Sequence, residues 1–392
     1  MSGEGAGVVE PFKIAVPEEK LRQLRQRILG YPWHAAAADE AVGWRYGPAT
    51  SYLRELCDHW LHGWDWRREE ERLNRFPQVL VRAGPKRLHA VHQRRGVEGR
   101  RALVLVHGWP GSFIEMERVI EPLVWPERHG GNPADGFDVI VPSLPGYGFS
   151  DRLSAPEGPR AAAAAVARLI RALGYEEYMV HGGDWGAEIS VWLGFDDAHS
   201  CRGIHLAMRG LAGNEPLGPE APAGERAWQQ DSDRRLAQLG LYALMQTEET
   251  QTLGLALADS PVGAMAWILD KFVRWIDAPD ARAVEAMLGR DRLLSNIAIH
   301  LFTDTIASAL WIYPGYMLEA RSLPEGRRVE RPVGIFALPN DPVYPWPSRS
   351  LLERHYNIAQ WTRPARGAHF AALETPDELV EDLRGFARRI GF

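Results

Sequence analysis

The residues with the clearest chemical signature form a glycine-rich turn, His181-Gly182-Gly183-Asp184-Trp185-Gly186. Asp184 occupies the position at which a Gly-x-Ser-x-Gly nucleophile elbow carries its serine. A serine there attacks an acyl carbon, whereas a carboxylate suits displacement at an sp³ carbon and forms an alkyl-enzyme ester. The turn therefore predicts an enzyme that acts on epoxides or alkyl halides. Gly and Asp also form turns for conformational reasons alone, so the flanking segments must show whether this turn is a nucleophile elbow.

The segments on either side of this turn are those that a nucleophile elbow requires. Residues 178–181 are a short β-favouring run, and residues 187–193 can continue as a helix with an apolar face. A strand, a tight turn and a helix in this order would expose the Asp184 carboxylate at the carboxyl edge of a sheet.

A second turn could stabilise negative charge. It follows a continuous apolar run at residues 102–106, which predicts a buried parallel strand. The backbone N–H of Trp109 in this turn and that of Trp185, the residue after Asp184, can converge as an oxyanion hole. Pro110 has no N–H and fixes the loop without competing as a donor.

An acid and a base follow later in the chain. Residues 332–337 predict another buried strand, and Asp341 stands just after it. His369 lies in a loop before the helix start at Thr375-Pro376. The order Asp184, Asp341, His369 is that of a hydrolase nucleophile, acid and base. The chain has 13 histidines, and structural roles are favoured for the three competing candidates, His107, His181 and His355.

Taken together, these motifs resemble the microsomal branch of the epoxide hydrolases, including the juvenile-hormone type. The resemblance implies an α/β-hydrolase fold: a doubly wound, mostly parallel sheet with an inserted helical lid and an N-terminal extension. It also implies conversion of an epoxide and water to a vicinal diol through an aspartyl ester, with no cofactor and no metal. It rests on residues 107–112, 182–186 and 367–372, on N-terminal motifs at 44–47, 52–56 and 73–78, and on lid motifs at 252–254 and 258–263.

The resemblance assigns roles to further residues. Tyr242 and Tyr313 match the lid tyrosines that bind the epoxide oxygen, with Tyr316 as a rival for one of these positions. A phenol, with a pKa of about 10, can protonate a developing alkoxide while remaining neutral itself. Two departures from the family are Asp341, one methylene shorter than the glutamate of many relatives, and Asp304, where relatives often have a small residue. Two residues early in the lid are candidates for the substrate pocket, Trp228 and Gln229.

Composition limits the class of partner and the location. The chain has 392 residues and a net charge of −6, which argues against a nucleic-acid partner. Cys57 and Cys201 offer no disulfide framework, which favours a reducing compartment, the cytoplasm. No apolar run approaches the roughly 18 residues of a membrane span, and we expect neither a signal peptide nor an anchor. The Ala- and Arg-rich composition is compatible with a bacterial source, with a role in detoxification or secondary metabolism.

The motif spacing predicts four segments: an N-terminal region at 1–100 that wraps the core, a first core segment at 101–213, a helical lid at 214–330, and the remaining strand and helix at 331–392. Within the first segment we expect helices at 18–29 and 51–60 and a hairpin that turns at Gly84-Pro85. The 15 tryptophans mainly predict packing, and Trp267 and Trp275 share one helix face. An aromatic-rich cavity would favour bulky or aryl epoxides. A homodimer is a further expectation.

Two other functions remain open at this point. A dehalogenase of the same fold would also use an aspartate nucleophile, but it needs halide donors, a role that Trp185 could fill. The tyrosine pair and the N-terminal region favour an epoxide hydrolase instead. A catalytically silent binding protein is the second alternative, and the set of Asp184, Asp341 and His369 argues against it.

Overall fold

A nine-stranded sheet forms the centre of the protein in the computed structural model, which describes residues 7–33, 44–96 and 101–392. In sheet order the strands are β1 (Val8–Phe12), β2 (Gln78–Arg82), β3 (Arg87–Gln93), β5 (Asp138–Pro142), β4 (Ala102–Val106), β6 (Tyr178–Gly182), β7 (Cys201–Leu206), β8 (Val329–Phe336) and β9 (Tyr356–Thr362). The pairings of β1 with β2, β2 with β3 and β3 with β5 are antiparallel. From β5 through β4 to β9, in sheet order, all strands are parallel. The predicted mostly parallel sheet is confirmed.

Strand β4 shows why the parallel part forms. All five of its residues are apolar and fully buried, as expected for a strand covered by helices on both faces. The carboxyl ends of β4, β6 and β8 lie at the same edge of the sheet because these strands are parallel. The loops that carry Trp109, Asp184 and Asp341 therefore start from one edge.

Helices cover the sheet and form a separate layer beyond it. Those outside the β7–β8 connection are α1 (Glu18–Leu29), α2 (Thr50–His62), α3 (Trp66–Leu73), α4 (Glu117–Val124), α5 (Pro159–Ala172), α6 (Trp185–Asp196), α14 (Arg349–Glu353), α15 (Ala371–Glu374) and α16 (Pro376–Ile390). Helix α5 packs on α6, and α16 packs on α4.

The chain between β7 and β8 is helical. It contains α7 (Ala223–Leu239), α8 (Leu241–Glu248), α9 (Thr250–Asp259), α10 (Pro261–Trp275), α11 (Ala281–Leu288), α12 (Arg290–Phe302) and α13 (Ile312–Leu318). The N-terminal helices pack against this insertion, α1 and α2 on α10 and α3 on α12. Lys20 of α1 also forms an ion pair of 2.6 Å with Asp304, beyond the end of α12. The four-segment division stays a prediction.

Most local predictions hold. Helix α1 has the predicted bounds, α2 covers its predicted range, and β2 and β3 form the hairpin around Gly84-Pro85. The expectation of a single strand after residue 331 is wrong, because β9 follows β8. Strand β9 is an edge strand, only partly buried after Tyr356, and so lacks the apolar run of a central strand.

Two findings concern membranes and metals. Among the described residues, no one helix has the length and apolar character to cross a membrane. Helices α9 and α10 meet these criteria only as a pair, and they are bent by 116°. The same residues contain no group of three or more His, Cys, Asp or Glu side chains placed to hold a metal ion.

Candidate active site

The turn between β6 and α6 places Asp184 in a backbone conformation that residues other than glycine rarely adopt, with φ of 48° and ψ of −133°. Such a conformation persists only where the surroundings impose it. Gly182 and Gly186 make it possible, since a Cβ on Gly182 would clash with Gly186 O and a Cβ on Gly186 with Val106 O. The tightness of the turn itself therefore requires Gly182, and its close approach to the end of β4 requires Gly186.

Each oxygen of the Asp184 carboxylate has its own hydrogen-bond partner, Trp109 N–H for Oδ1 and His369 for Oδ2. Oδ1 accepts a hydrogen bond of 2.8 Å from the backbone N–H of Trp109. A Cβ on Gly108 would collide with this carboxylate, so the loop after β4 needs glycine there. Trp185 is the first residue of α6, and its N–H has no acceptor within the helix. Of the two predicted oxyanion-hole amides, that of Trp109 contacts the carboxylate directly, and that of Trp185 stays a prediction.

His369 joins the two aspartates. Its Nε2 lies 3.2 Å from Asp184 Oδ2, and its Nδ1 lies 2.9 Å from Asp341 Oδ2. The other oxygen of Asp341 accepts hydrogen bonds from the backbone N–H groups of Val343 and Tyr344, at 2.9 and 2.8 Å. The shorter aspartate side chain therefore reaches the imidazole, and its orientation is fixed by its own loop.

The charge on His369 follows from this arrangement. Burial lowers the pKa of His369, but the charges and hydrogen bonds of Asp341 and Asp184 outweigh burial and hold the pKa well above its ordinary value. By contrast, burial lowers the pKa of His107 to about 4 and that of His181 well below its usual range. His369 is thus an imidazolium between two carboxylates in the resting protein, whereas the other two histidines stay neutral.

This ion triad should contribute to stability in a pH-dependent way. Since folding raises the His369 pKa, its contribution is fully present below the unfolded-state value of about 6.5 and is lost as pH rises through the folded-state pKa. We expect His369→Gln to lower the free energy of unfolding by about 1.5–3 kcal/mol more at pH 6 than at a pH above the folded pKa. Urea unfolding from pH 6 to pH 10 measures this difference.

The matched control is His129→Gln, which alters an exposed histidine and should change stability little at any pH. A stability loss for His369→Gln that does not depend on pH would contradict the imidazolium assignment.

The Asp184 carboxylate lines a cavity of about 300 Å³ with mostly apolar and aromatic walls. Tyr242 and Tyr313 both line it, with ring centroids 6.2 Å apart. Tyr242 stacks on Trp109 at 5.4 Å, and Tyr313 meets Trp185 edge-on at 4.9 Å. Burial, reinforced by the Asp184 charge, raises the pKa of both phenols well above the ordinary value. Both hydroxyls therefore remain protonated hydrogen-bond donors.

Two further tyrosines line the same cavity. Tyr316, the rival lid tyrosine, accepts a hydrogen bond of 3.1 Å from Asn214 Nδ2. Tyr344 also lines this cavity and contributes to the raised pKa of the Tyr242 phenol. The cavity thus presents four tyrosines rather than the two that the sequence predicted.

Trp228 and Gln229 do not join this cavity. They line a larger adjoining cavity of about 510 Å³, which shares Tyr316 and Arg209 with the first. The Trp228 indole donates to Pro345 O at 2.9 Å, and the Gln229 amide bridges Leu217 N–H and Glu215 O. These hydrogen bonds hold Trp228 to the loop after Asp341 and Gln229 to the segment before α7. They keep both side chains away from Asp184.

Comparison with known proteins agrees with this geometry. The family described as "Epoxide hydrolase N terminus" matches residues 9–116, and "alpha/beta hydrolase fold" matches residues 101–238. A Stigmatella aurantiaca protein assigned as an epoxide hydrolase is 36% identical over 97% of this chain and 85% of its own length. Epoxide hydrolase 1 of Sus scrofa is 30% identical over 96% of this chain and 88% of its own length. The chain belongs to the epoxide hydrolase family.

A solved structure extends this likeness to three dimensions. The epoxide hydrolase of Aspergillus niger superposes with a TM-score of 0.82 at 28% identity, covering 99% of this chain and 98% of its own. Juvenile hormone epoxide hydrolases are among the further relatives. The predicted α/β-hydrolase fold and the microsomal-type family are confirmed.

Sequence reasoning missed three ionisable residues of this epoxide hydrolase that line the Asp184 cavity, Glu188, Arg209 and Tyr344. Two of them carried a positional signal. Glu188 lies four residues after Asp184, one helical turn away on the same face of α6. Arg209 follows β7, a parallel strand whose carboxyl end faces the site. Tyr344 had no such signal, since it depends on the path of the loop after Asp341.

Proposed function

We propose that this chain hydrolyses an epoxide to a vicinal diol in two half-reactions, through a covalent ester on Asp184. One observation carries the proposal: the Asp184 carboxylate contacts Trp109 N–H and His369 at the wall of a cavity that also contains Tyr242 and Tyr313. A nucleophile, an oxyanion donor, a base and two acids in one cavity fit this chemistry.

In the first half-reaction, Asp184 Oδ2 attacks an epoxide carbon and breaks its bond to the ring oxygen. A proton from Tyr242 or Tyr313 passes to that oxygen, which becomes a hydroxyl group. The resulting phenolate regains a proton from the His369 imidazolium through solvent. The products are a hydroxyalkyl ester, a neutral imidazole and two neutral phenols.

Esterification prepares His369 for its second task. The alkylated Asp184 carries no charge, so one of the two carboxylates that raise the His369 pKa is removed. Asp341 continues to accept from Nδ1 and leaves Nε2 free to accept a proton. The loss of one charge therefore converts His369 from a resting imidazolium into a general base.

In the second half-reaction, His369 takes a proton from water as the water oxygen adds to the ester carbonyl carbon. The N–H groups of Trp109 and Trp185 stabilise the negative charge on the carbonyl oxygen. The tetrahedral intermediate collapses by breaking the bond between Asp184 Cγ and Oδ2. Its hydroxyl proton passes to Oδ2, which leaves as a hydroxyl group of the diol. Asp184 is again a carboxylate and His369 again an imidazolium, so the cycle closes.

The tyrosines should act mainly on the first half-reaction. We expect Tyr242→Phe and Tyr313→Phe each to slow ester formation by about 10²–10³-fold, the usual cost of removing one donor to a developing oxyanion. Stopped-flow tryptophan fluorescence can follow this step, because Trp109 and Trp185 adjoin the site.

A matched control is Tyr178→Phe, another buried phenol, which is hydrogen-bonded to Asp197 at 3.0 Å and does not line the cavity. It should react at the wild-type rate. A larger loss in Tyr316→Phe than in Tyr242→Phe would transfer the role to Tyr316.

Finer features belong to the same proposal. Aromatic walls support bulky or aryl epoxides as substrates, and the unpaired Cys57 and Cys201 support a reducing compartment, the cytoplasm. Trp228 and Gln229 would affect only substrates long enough to enter the adjoining cavity. We also propose the four segments 1–100, 101–213, 214–330 and 331–392. The biological proposals are a bacterial source and a role in detoxification or secondary metabolism. For the oligomeric state, we propose a homodimer.

The direct test is product analysis with a panel of aryl epoxides, alkyl epoxides and haloalkanes. We expect diol from one or more epoxides and no halide release. Halide without diol would indicate a dehalogenase, and neither product from folded protein would favour a binding role.

A further inference from the structure

The Asp184 cavity contains a polar group of residues that the two half-reactions do not use. Arg209 and Glu188 are each 7% exposed, and both line this cavity. The Arg209 Nε and the Glu188 Oε2 are buried and have no hydrogen-bond partner among the described residues. Buried polar atoms without partners are costly, so these two atoms call for an explanation.

Arg209 is a buried cation whose hydrogen bonds go to neutral groups. Its Nη1 donates to Ala212 O and to Asn214 Oδ1, the latter at 2.7 Å. Within the described part of the chain, no carboxylate forms an ion pair with it. A guanidinium removed from water in this way is well placed to bind an anion, with paired hydrogen bonds to a carboxylate.

Glu188 supplies a second donor. Burial raises the pKa of Glu188 to about 8, against the lowering effect of Arg209 and with a further rise from Asp184. The groups that face it from neighbouring elements are Asp184, Arg209, Glu319, Tyr316 and Tyr356. At neutral pH its carboxyl group is protonated and can donate a hydrogen bond. The Tyr316 hydroxyl accepts from Asn214, so its own hydrogen is also available to donate.

We propose that Arg209, Glu188 and Tyr316 form a subsite for a carboxylate on the substrate, so that the preferred epoxides are epoxy acids. This deepens the proposed function and rests on it. Three donors with one formal positive charge match the acceptor-only character and single charge of a carboxylate. Glu188 lies four residues after Asp184, about 6 Å along the helix axis. The carboxylate should therefore stand roughly four to six bonds from the epoxide carbon.

The test compares terminal epoxides that carry two to six methylenes and end in a carboxylate, a methyl ester or a primary amide. At pH 7 we expect kcat/KM for the best carboxylate to exceed that of its ester by at least about tenfold, the value of one charge-assisted hydrogen bond. The ratio should fall toward one in Arg209→Gln and recover in part in Arg209→Lys. It should also fall in the wild type as pH rises through about 8, where Glu188 ionises and repels the carboxylate. Glu188→Gln should abolish that pH dependence.

The control is Arg321→Gln, which alters an exposed arginine of the adjoining cavity and should keep the wild-type ratio. A ratio near one in the wild type, or its loss in Arg321→Gln rather than in Arg209→Gln, would overturn the subsite.

A binding measurement separates this subsite from the proposed reaction. Calorimetry should detect hexanoate but not methyl hexanoate on the wild type, and hexanoate binding should weaken at least about tenfold in Arg209→Gln. Arg209-dependent binding without diol formation would contradict the proposed function and leave the subsite standing. Diol formation at equal rates from acid and ester, without hexanoate binding, would do the reverse.

Discussion

Asp184→Asn should lower kcat for epoxide hydrolysis by at least about 10⁴-fold, within the range found when a nucleophile of a catalytic triad is removed. An amide cannot attack the epoxide carbon, yet it preserves the size of the side chain. Asparagine also tolerates left-handed backbone conformations better than most residues. The loss should therefore reflect chemistry and not collapse of the turn, and steady-state diol formation measures it.

The chain offers a closely matched control. Within the described residues, Asp184 and Asp304 are the two non-glycine residues with positive φ, at 48° and 56°. Asp304→Asn makes the same chemical change in a related backbone conformation and removes only the exposed ion pairs to Lys20 and Arg152. It should retain wild-type kcat. Diol formation by Asp184→Asn at a rate near wild type would exclude Asp184 as the nucleophile.

His369→Gln should uncouple the two half-reactions. Without the imidazole, no base at this position removes a proton from water, so ester hydrolysis should slow by about 10³-fold or more. Asp184 keeps its Trp109 N–H contact and can still open the epoxide. The ester should then accumulate, and intact-protein mass spectrometry should show one added substrate mass per chain.

Peptide mapping should locate the added mass on the segment that contains Asp184, and the double variant Asp184→Asn/His369→Gln should gain none. His355→Gln, which alters a half-buried histidine away from the cavity, should turn over without an adduct. An adduct on another residue, or no adduct in His369→Gln while diol formation is lost, would contradict the roles of Asp184 as nucleophile and His369 as base.

The elbow and the buried central strands were predictable from sequence because each depends on a local pattern. The apolar run of β4 predicts a buried strand, and the Gly-Gly-Asp sequence after β6 predicts a tight turn. The meeting of Asp341 and His369 could be expected from chain order, since both follow elements at one edge of a parallel sheet.

Other features depend on contacts that no local pattern records. Trp228 and Gln229 precede the predicted lid tyrosines in the chain, yet their hydrogen bonds to Pro345, Glu215 and Leu217 turn them into the adjoining cavity. Arg209, which follows β7, shares a cavity with residues of α6, α8 and α13 only because these elements pack together in the folded protein. Strand β9 was missed because half-buried edge strands carry little apolar signal.

The covalent ester on Asp184 is tested most directly by one turnover in water enriched in ¹⁸O, with enzyme in excess over epoxide. We expect the first diol to carry no ¹⁸O, because its new oxygen comes from Asp184, and the Asp184 peptide to gain one ¹⁸O atom. A first-turnover diol that contains ¹⁸O, with an unlabelled Asp184 peptide, would mean that water attacks the epoxide directly.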